Sequence, residues 1–84
     1  MNYVYVLESY VDKSWYIGQT SDIDRRLIEH NNGNSVYTNK KKPWKLMYLE
    51  GYCNITDAKK RETYLKSGAG RIRLKQQLTN YLSK

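Results

Sequence analysis

The chain has 84 residues and a formal net charge of +7 at pH 7. Its length allows only a small hydrophobic core, so we expect residues 1–84 to form a single domain. The one cysteine, Cys53, excludes an intrachain disulfide and a cysteine-rich zinc site. Since no apolar run is long enough to span a bilayer, we expect a cytoplasmic protein with neither a membrane nor a disulfide partner.

The basic residues are concentrated in the second half of the chain. Residues 1–39 carry three basic and five acidic side chains, whereas residues 40–84 carry twelve basic and three acidic ones. A positive surface of this kind can follow a phosphate backbone and release its counterions, which favours a nucleic-acid partner over a merely solvated surface. The candidate phosphate-binding residues are Lys40, Lys41, Lys42, Lys45, Arg71, Arg73 and Lys75.

The first predicted elements are two strands joined by a hairpin. Apolar residues alternate along residues 3–10, residues 15–18 form a second strand-like run, and Asp12 favours a turn between them. Pairing these strands would bring Tyr5 and Tyr16, eleven residues apart, close together on one small sheet. Because the chain has nine tyrosines and no phenylalanine, a purely structural role for this pair is the alternative.

The hydrophobic period then changes to that of a helix. Ser21 as the N-cap, with Asp24 three positions later, predicts a first helix that runs to about Asn31. A polar loop follows as far as Pro43. Residues 44–52 are apolar and aromatic enough for a third strand.

Two further helices are predicted in the remainder of the chain. Thr56–Asp57 caps a helix that runs to about Ser67, where Gly68 and Gly70 end it. Residues 71–82 form an amphipathic last helix. The order β-β-α-β-α-α predicts an α/β (α+β) fold, in which helices flank a mainly antiparallel three-stranded sheet.

Polar side chains on the predicted helices indicate a site. Glu62 shares a helix face with Ala58 and Leu65, so its carboxylate needs a cation, either a metal ion or an ion pair with Arg26 or a neighbouring lysine. Arg26 and His30 lie one turn apart and would approach the tyrosines if the first helix packs over the hairpin. A phenol, a guanidinium, an imidazole and a carboxylate together suit phosphodiester hydrolysis.

With these residues the chain resembles the GIY-YIG nuclease superfamily, particularly its small stand-alone single-domain bacterial branch. Tyr3-Val4-Tyr5 stands where the family has its first motif, although without the glycine, and Tyr16-Ile17-Gly18 is the second motif unaltered. Residues 21–30 are similar to the family's helix that carries an essential arginine. Residues 61–68 look like the segment that carries its metal-binding glutamate.

The resemblance implies a metal-dependent endonuclease that hydrolyses DNA phosphodiester bonds with low sequence specificity. Tyr5 or Tyr16 would help to activate a water, and His30 would orient a tyrosine or the water. Arg26 would stabilise charge on the phosphate, and Glu62 would hold one Mg²⁺ or Mn²⁺. Because one carboxylate binds Mg²⁺ weakly, we expect substrate phosphate and waters to complete the ligand shell.

Several alternatives remain open from the sequence. The family often adds a polar residue from its C-terminal helix, for which Gln77 and Asn80 are both candidates. The substrate is DNA, of structured or damaged form, or RNA. A non-catalytic nucleic-acid-binding module with the same fold would bind in a salt-dependent way without cleavage. A subunit that docks a partner through its aromatic surface would bind little DNA at physiological salt.

Overall fold

The computed structural model describes residues 1–83, apart from the side chain of Val36. Lys84, at the end of the predicted domain, lies outside these residues. The predicted fold class and the order β-β-α-β-α-α are confirmed, and two short helices, α2 and α5, are added to them. The elements are β1 (Asn2–Ser9), β2 (Trp15–Thr20), α1 (Ile23–Asn31), α2 (Val36–Asn39), β3 (Trp44–Tyr52), α3 (Ile55–Lys66), α4 (Gly68–Gln77) and α5 (Thr79–Leu82).

The sheet has the strand order β2-β1-β3, and both of its strand pairs are antiparallel. β1 is therefore the central strand, and residues 4–9 of it are buried. Its alternating side chains point into two separate cores, because successive residues of a strand face opposite sides of the sheet. One core contains Val4, Val6, Ile17, Ala58, Leu65 and Leu74. The other contains Tyr5, Leu7 and Trp44, with Ile23 and Leu27 of α1 packed against them.

The helices α1 and α3 begin at different residues from those predicted, because local capping chemistry decides between neighbouring polar residues. Asp22, not Ser21, is the N-cap of α1, and its Oδ1 accepts a hydrogen bond from the Arg25 backbone N–H at 3.1 Å. Asn54 caps α3 in the same way through the backbone N–H of Thr56 at 2.8 Å. α3 thus begins two residues before the predicted start.

The segment predicted as a polar loop before Pro43 contains the short helix α2. Its neighbours are fixed by Asn31 at the end of α1, whose side chain forms two hydrogen bonds with the backbone of Trp44. Asn31 Oδ1 accepts from the Trp44 N–H at 2.6 Å, and Asn31 Nδ2 donates to the Trp44 carbonyl oxygen at 3.2 Å. This amide holds α1 at the start of β3. Among residues 1–83, no helix is long and apolar enough to cross a bilayer.

A single serine separates α3 from α4, and the two glycines that follow it lie inside α4. Ser67 Oγ accepts from the Gly70 backbone N–H at 3.1 Å, so α4 begins at Gly68, three residues earlier than predicted. A Cβ on the buried Gly70 would overlap the carbonyl oxygen of Tyr64, so glycine lets α4 approach the end of α3. The predicted last helix is divided at Leu78 into α4 and α5.

The two glycines of α4 provide a matched test of this junction. We expect Gly70→Ala to lower the free energy of unfolding by about 1–3 kcal/mol, because its methyl group meets rigid backbone. Gly68→Ala meets no atom within 4 Å and is expected to be neutral or slightly stabilising. Urea denaturation of both variants measures the difference, and equal stabilities would contradict the assigned packing.

Candidate active site

The β1–β2 hairpin brings the two motif tyrosines together. The ring centroids of Tyr5 and Tyr16 are 6.3 Å apart. Tyr5 faces Gly18 across the strand pair, and a Cβ at Gly18 would lie only 2.5 Å from the Tyr5 hydroxyl oxygen. Only glycine leaves room for the phenol of Tyr5 to lie across β2.

The hydroxyl of Tyr5 contacts a buried histidine on α1. Tyr5 Oη and His30 Nε2 are 3.1 Å apart, and His30 Nδ1 lies 2.8 Å from Thr38 Oγ1. His30 is fully buried, and this burial, together with the positive charge of Arg26, lowers the pKa of His30 against the opposing effect of Glu29. His30 is thus neutral at pH 7, with one ring nitrogen donating and the other accepting. The two contacts form one continuous hydrogen-bonded chain.

Tyr5 is held as a neutral phenol. Burial raises its pKa from the ordinary 10.0 to about 12, although the adjacent Arg26 guanidinium acts in the opposite direction. The negative charges of Tyr16 and Glu62, when ionised, raise the pKa of Tyr5 further. Tyr5 therefore keeps its proton throughout the physiological pH range.

Tyr16, in contrast, lines an open cavity of about 360 Å³. Its ring packs on those of His30 at 4.8 Å and Tyr37 at 5.7 Å between centroids. Tyr37 belongs to α2 and is 77% exposed. The cavity, which we call the Tyr16 cleft, is lined by Trp15, Tyr16, Ile17, Tyr37, Lys66 and Arg71.

Arg26 lies beside the tyrosine pair, and its side chain is partly exposed. Its Nη1 donates to Glu29 Oε1 at 3.1 Å, and its side chain is 34% exposed. A guanidinium has five N–H donors, so donors remain for a phosphate oxygen. The neighbouring Arg25 is 68% exposed on its side chain and reaches Glu29 only at 4.0 Å.

Glu62 is paired with a lysine, which was one of the two predicted ion-pair arrangements. Lys66 Nζ donates to Glu62 Oε2 at 2.9 Å, and the Glu62 side chain is 22% exposed. Its negative charge raises the pKa of Tyr5, and Glu62 itself is not part of the lining of the Tyr16 cleft, whereas Lys66 is. An i,i+4 pair at the surface contributes only about 0.3–0.5 kcal/mol, so a metal cation can displace Lys66.

The donor set of the site fits a weakly held cation. Within residues 1–83, no group of three or more His, Cys, Asp or Glu side chains could hold a metal ion together. Glu62 offers one partly accessible carboxylate, which is a suitable ligand for Mg²⁺. The remaining oxygen ligands of such an ion would come from waters and substrate.

Three of the predicted phosphate-binding residues meet at a second cavity, of about 540 Å³, which we call the Lys45 groove. Lys45, Arg71 and Lys75 line it, and it shares Trp15 and Arg71 with the Tyr16 cleft. The two cavities are therefore adjacent on the surface.

The other predicted phosphate-binding residues lie elsewhere. Lys41 pairs with Asp12 in the β1–β2 turn at 3.3 Å, and Lys40 and Lys42 on either side of it are exposed. Arg73 is exposed on α4 and lines neither the Tyr16 cleft nor the Lys45 groove. The positive surface is thus divided between the hairpin end and α4.

The two candidate polar residues near the C-terminus also line neither cavity. Gln77 Nε2 donates to Tyr48 Oη at 3.0 Å, and Tyr48 donates to Glu50 at 2.6 Å. Burial alone would raise the pKa of Glu50, but hydrogen bonds from Arg61 and tyrosines outweigh it and hold that pKa below its usual range. Gln77 therefore belongs to a network joining α4, β3 and α3. Asn80 is exposed on α5.

The structure places further side chains around the site that the sequence did not indicate. Thr38 lies in the segment predicted as a loop, where the sequence has no hydrophobic period that would mark Thr38 as buried. Lys66 could have been found, because it stands four residues after Glu62 on one helix. Trp15 and Tyr37 could not be singled out from the sequence, because aromatic residues are common in this tyrosine-rich chain.

Comparisons with known proteins identify the family of this chain. The family model described as the GIY-YIG catalytic domain matches residues 1–76. A UPF0213 protein of Clostridium perfringens is 43% identical over 67 residues, which cover 79% of this chain and 71% of that protein. A UPF0213 protein of Staphylococcus saprophyticus is 36% identical over 75 residues, covering 88% and 90%.

A solved structure agrees with these matches. The solution NMR structure of the UPF0213 protein BH0048 from Bacillus halodurans has 36% sequence identity and a TM-score of 0.53, covering 96% of this chain and 85% of that one. The motifs, the fold and these relatives agree. The chain therefore belongs to the GIY-YIG catalytic-domain family, within the nuclease superfamily.

Proposed function

We propose that this protein is a divalent-metal-dependent endonuclease that hydrolyses DNA phosphodiester bonds. The observation that carries the proposal is the Tyr16 cleft, where a phenol lies against a neutral buried His30 and beside cationic side chains. We further propose that residues 1–84 act as one nuclease domain. The preferred substrates of this domain are branched, single-stranded or damaged DNA, because residues 1–84 offer little surface for reading sequence.

Tyr16 is the residue we assign to proton removal from the attacking water. It lines the open cleft, whereas Tyr5 is buried and keeps its proton. A phenol acts as a base only where nearby positive charge stabilises the phenolate, and Lys66 and Arg71 line the same cleft. The water oxygen then forms its bond to phosphorus as the bond to the leaving oxygen breaks, and the leaving oxygen takes a proton from solvent.

Tyr5 and His30 position the reacting groups without contacting the substrate. The chain from Tyr5 through His30 to Thr38 fixes the imidazole, and the imidazole supports one side of the Tyr16 ring. Arg26 stabilises the charge that develops on the phosphate oxygens, where a planar guanidinium can donate two parallel hydrogen bonds.

Glu62 is the residue that would hold the metal ion, in exchange for its ion pair with Lys66. A cation held there would supply positive charge that neutralises the phosphate and stabilises the leaving oxygen. Lys66 lines the cleft, where its ammonium group can contact the substrate backbone.

Removal of Arg26 or Glu62 is expected to abolish cleavage. Purified protein with Mg²⁺ or Mn²⁺ should nick branched or single-stranded DNA, and Arg26→Gln or Glu62→Gln should lower the rate by at least about 100-fold. Circular dichroism and thermal unfolding should show that both variants keep their fold.

Matched controls carry the same change of charge on the same helices. Arg25→Gln on α1 and Asp57→Asn on α3 alter exposed side chains that, unlike Arg26 and Glu62, are not among the charges that act on the pKa of Tyr5, so they should keep nearly the wild-type rate. Equal nicking by wild type, Arg26→Gln and Glu62→Gln would reveal a contaminating nuclease and defeat the proposal. Salt-dependent binding without cleavage of any substrate would favour a non-catalytic module.

The two tyrosines are expected to separate activity from stability. Tyr16→Phe should lower the single-turnover rate by about 10²–10⁴-fold with little loss of stability, because it removes the proton acceptor from an open cleft. Tyr5→Phe should lower the free energy of unfolding by about 1–3 kcal/mol, because His30 Nε2 loses its buried partner.

Single-turnover cleavage and urea denaturation of both variants measure these effects. The assignment of roles fails if Tyr5→Phe is as inactive as Tyr16→Phe while retaining the stability of the wild type.

A further inference from the structure

The Lys45 groove combines positive charge with aromatic walls. It lies beside the Tyr16 cleft, and Trp15 and Arg71 form part of both cavities. Its cationic and aromatic lining consists of Lys13, Lys45, Arg71, Lys75, Trp15 and Tyr81.

Cationic side chains outnumber carboxylates in the lining of this groove. The one carboxylate in its lining, Glu8, is 8% exposed and accepts a hydrogen bond from Tyr81 Oη at 2.8 Å. Among residues 1–83, none of the ion pairs involves Lys45, Arg71 or Lys75. Like charges in one concave surface repel each other and raise the local concentration of anions, so this groove favours an anionic ligand.

The aromatic walls indicate which kind of anion fits. Arg71 Cζ lies 5.4 Å and Lys75 Nζ 6.0 Å from the centre of the Trp15 ring, and Lys45 Nζ lies 5.0 Å from that of Tyr81. Each of these cations thus lies over a ring face in a cation–π contact, so a base that stacks on Trp15 takes the place of a cation, which is then released to contact the flanking phosphates. Aromatic faces beside backbone-binding cations are the arrangement that binds single strands, whose bases are free to stack.

We propose that the Lys45 groove binds a single-stranded DNA segment that continues from the phosphate in the Tyr16 cleft. A base stacks on Trp15, and the neighbouring phosphates contact Lys45, Arg71 and Lys75. A cavity of about 540 Å³ has the size of a small-ligand pocket, so it has room for a nucleotide unit or two, and only a single strand presents an unpaired base to Trp15. That the strand continues from one cavity to the other rests on the proposed function, because it requires a scissile phosphate in the Tyr16 cleft. Under this proposal the protein prefers substrates with a single-stranded arm.

The test is a binding titration without metal, so that no cleavage is needed. The full chain in EDTA is titrated with dT10 and with a hairpin duplex of equal nucleotide number, and tryptophan fluorescence is recorded. The chain has two tryptophans, and Trp44 is only 3% exposed, so a change in fluorescence reports Trp15. We expect dT10 to quench this fluorescence and to bind at least about tenfold more tightly than the duplex.

Variants separate the groove from general positive charge. The double variant Lys45→Gln/Lys75→Gln should weaken dT10 binding and lower the slope of log K against log salt by about 1.4, that is about 0.7 for each lost phosphate contact. The control, Lys59→Gln/Lys60→Gln, removes two exposed lysines of α3 that line neither cavity. It should leave the affinity for dT10 and the salt slope nearly unchanged.

Trp15→Leu should remove the quenching and weaken dT10 binding by on the order of tenfold. Because Trp15 also packs against the core, its effect is read together with the lysine variants, which change only partly or fully exposed side chains.

Equal weakening by the two lysine pairs, absence of quenching, or equal affinity for the duplex would overturn the proposal. Tighter binding of rU10 than of dT10 would overturn the choice of DNA. Quenching and the lysine effect without cleavage of any substrate would support the groove and count against the nuclease, so the two failures are distinguishable.

Discussion

The buried hydroxyl of Tyr5 is the polar group around which the site is arranged. A phenolic hydroxyl without a partner in the interior is costly, and His30 of α1 provides that partner at 3.1 Å. The contact is possible because Gly18 leaves the space that the phenol occupies. His30 in turn needs a partner for its second nitrogen, and Thr38 of α2 supplies it. One buried hydroxyl thus links β1, β2, α1 and α2.

The burial of the Tyr5 hydroxyl also gives the two tyrosines different roles. The same burial that fixes Tyr5 raises its pKa to about 12, so it cannot take a proton from water under physiological conditions. Tyr16 has the opposite environment, an open cleft with Lys66 and Arg71 in its wall. Two identical side chains on neighbouring strands therefore suit different tasks, one positioning and one chemical, because their solvation differs.

Much of this arrangement follows from the sequence, and the remainder follows from local or distant chemistry that periodicity does not record. The pairing of the tyrosines follows from a period-two run and a short turn, and strand β3 follows from an apolar and aromatic run. The start of α1 could not be predicted to the residue, since Ser21 and Asp22 are both good caps and only the folded backbone chooses between them. The contact of His30 with Thr38 depends on a helix inside a polar segment, where no hydrophobic pattern marks a face.

The protonation state of Tyr5 is the most direct test of this account. Tyrosine residues labelled with ¹³C at the Cζ position report ionisation through their chemical shift, and the Tyr5 signal is identified by its loss in Tyr5→Phe. We predict that the Tyr5 signal titrates only at about pH 12, well above the ordinary value of 10.0, because the phenol is buried. A titration of Tyr5 at or below pH 10.0 would contradict the account, because this tyrosine could then serve as the base.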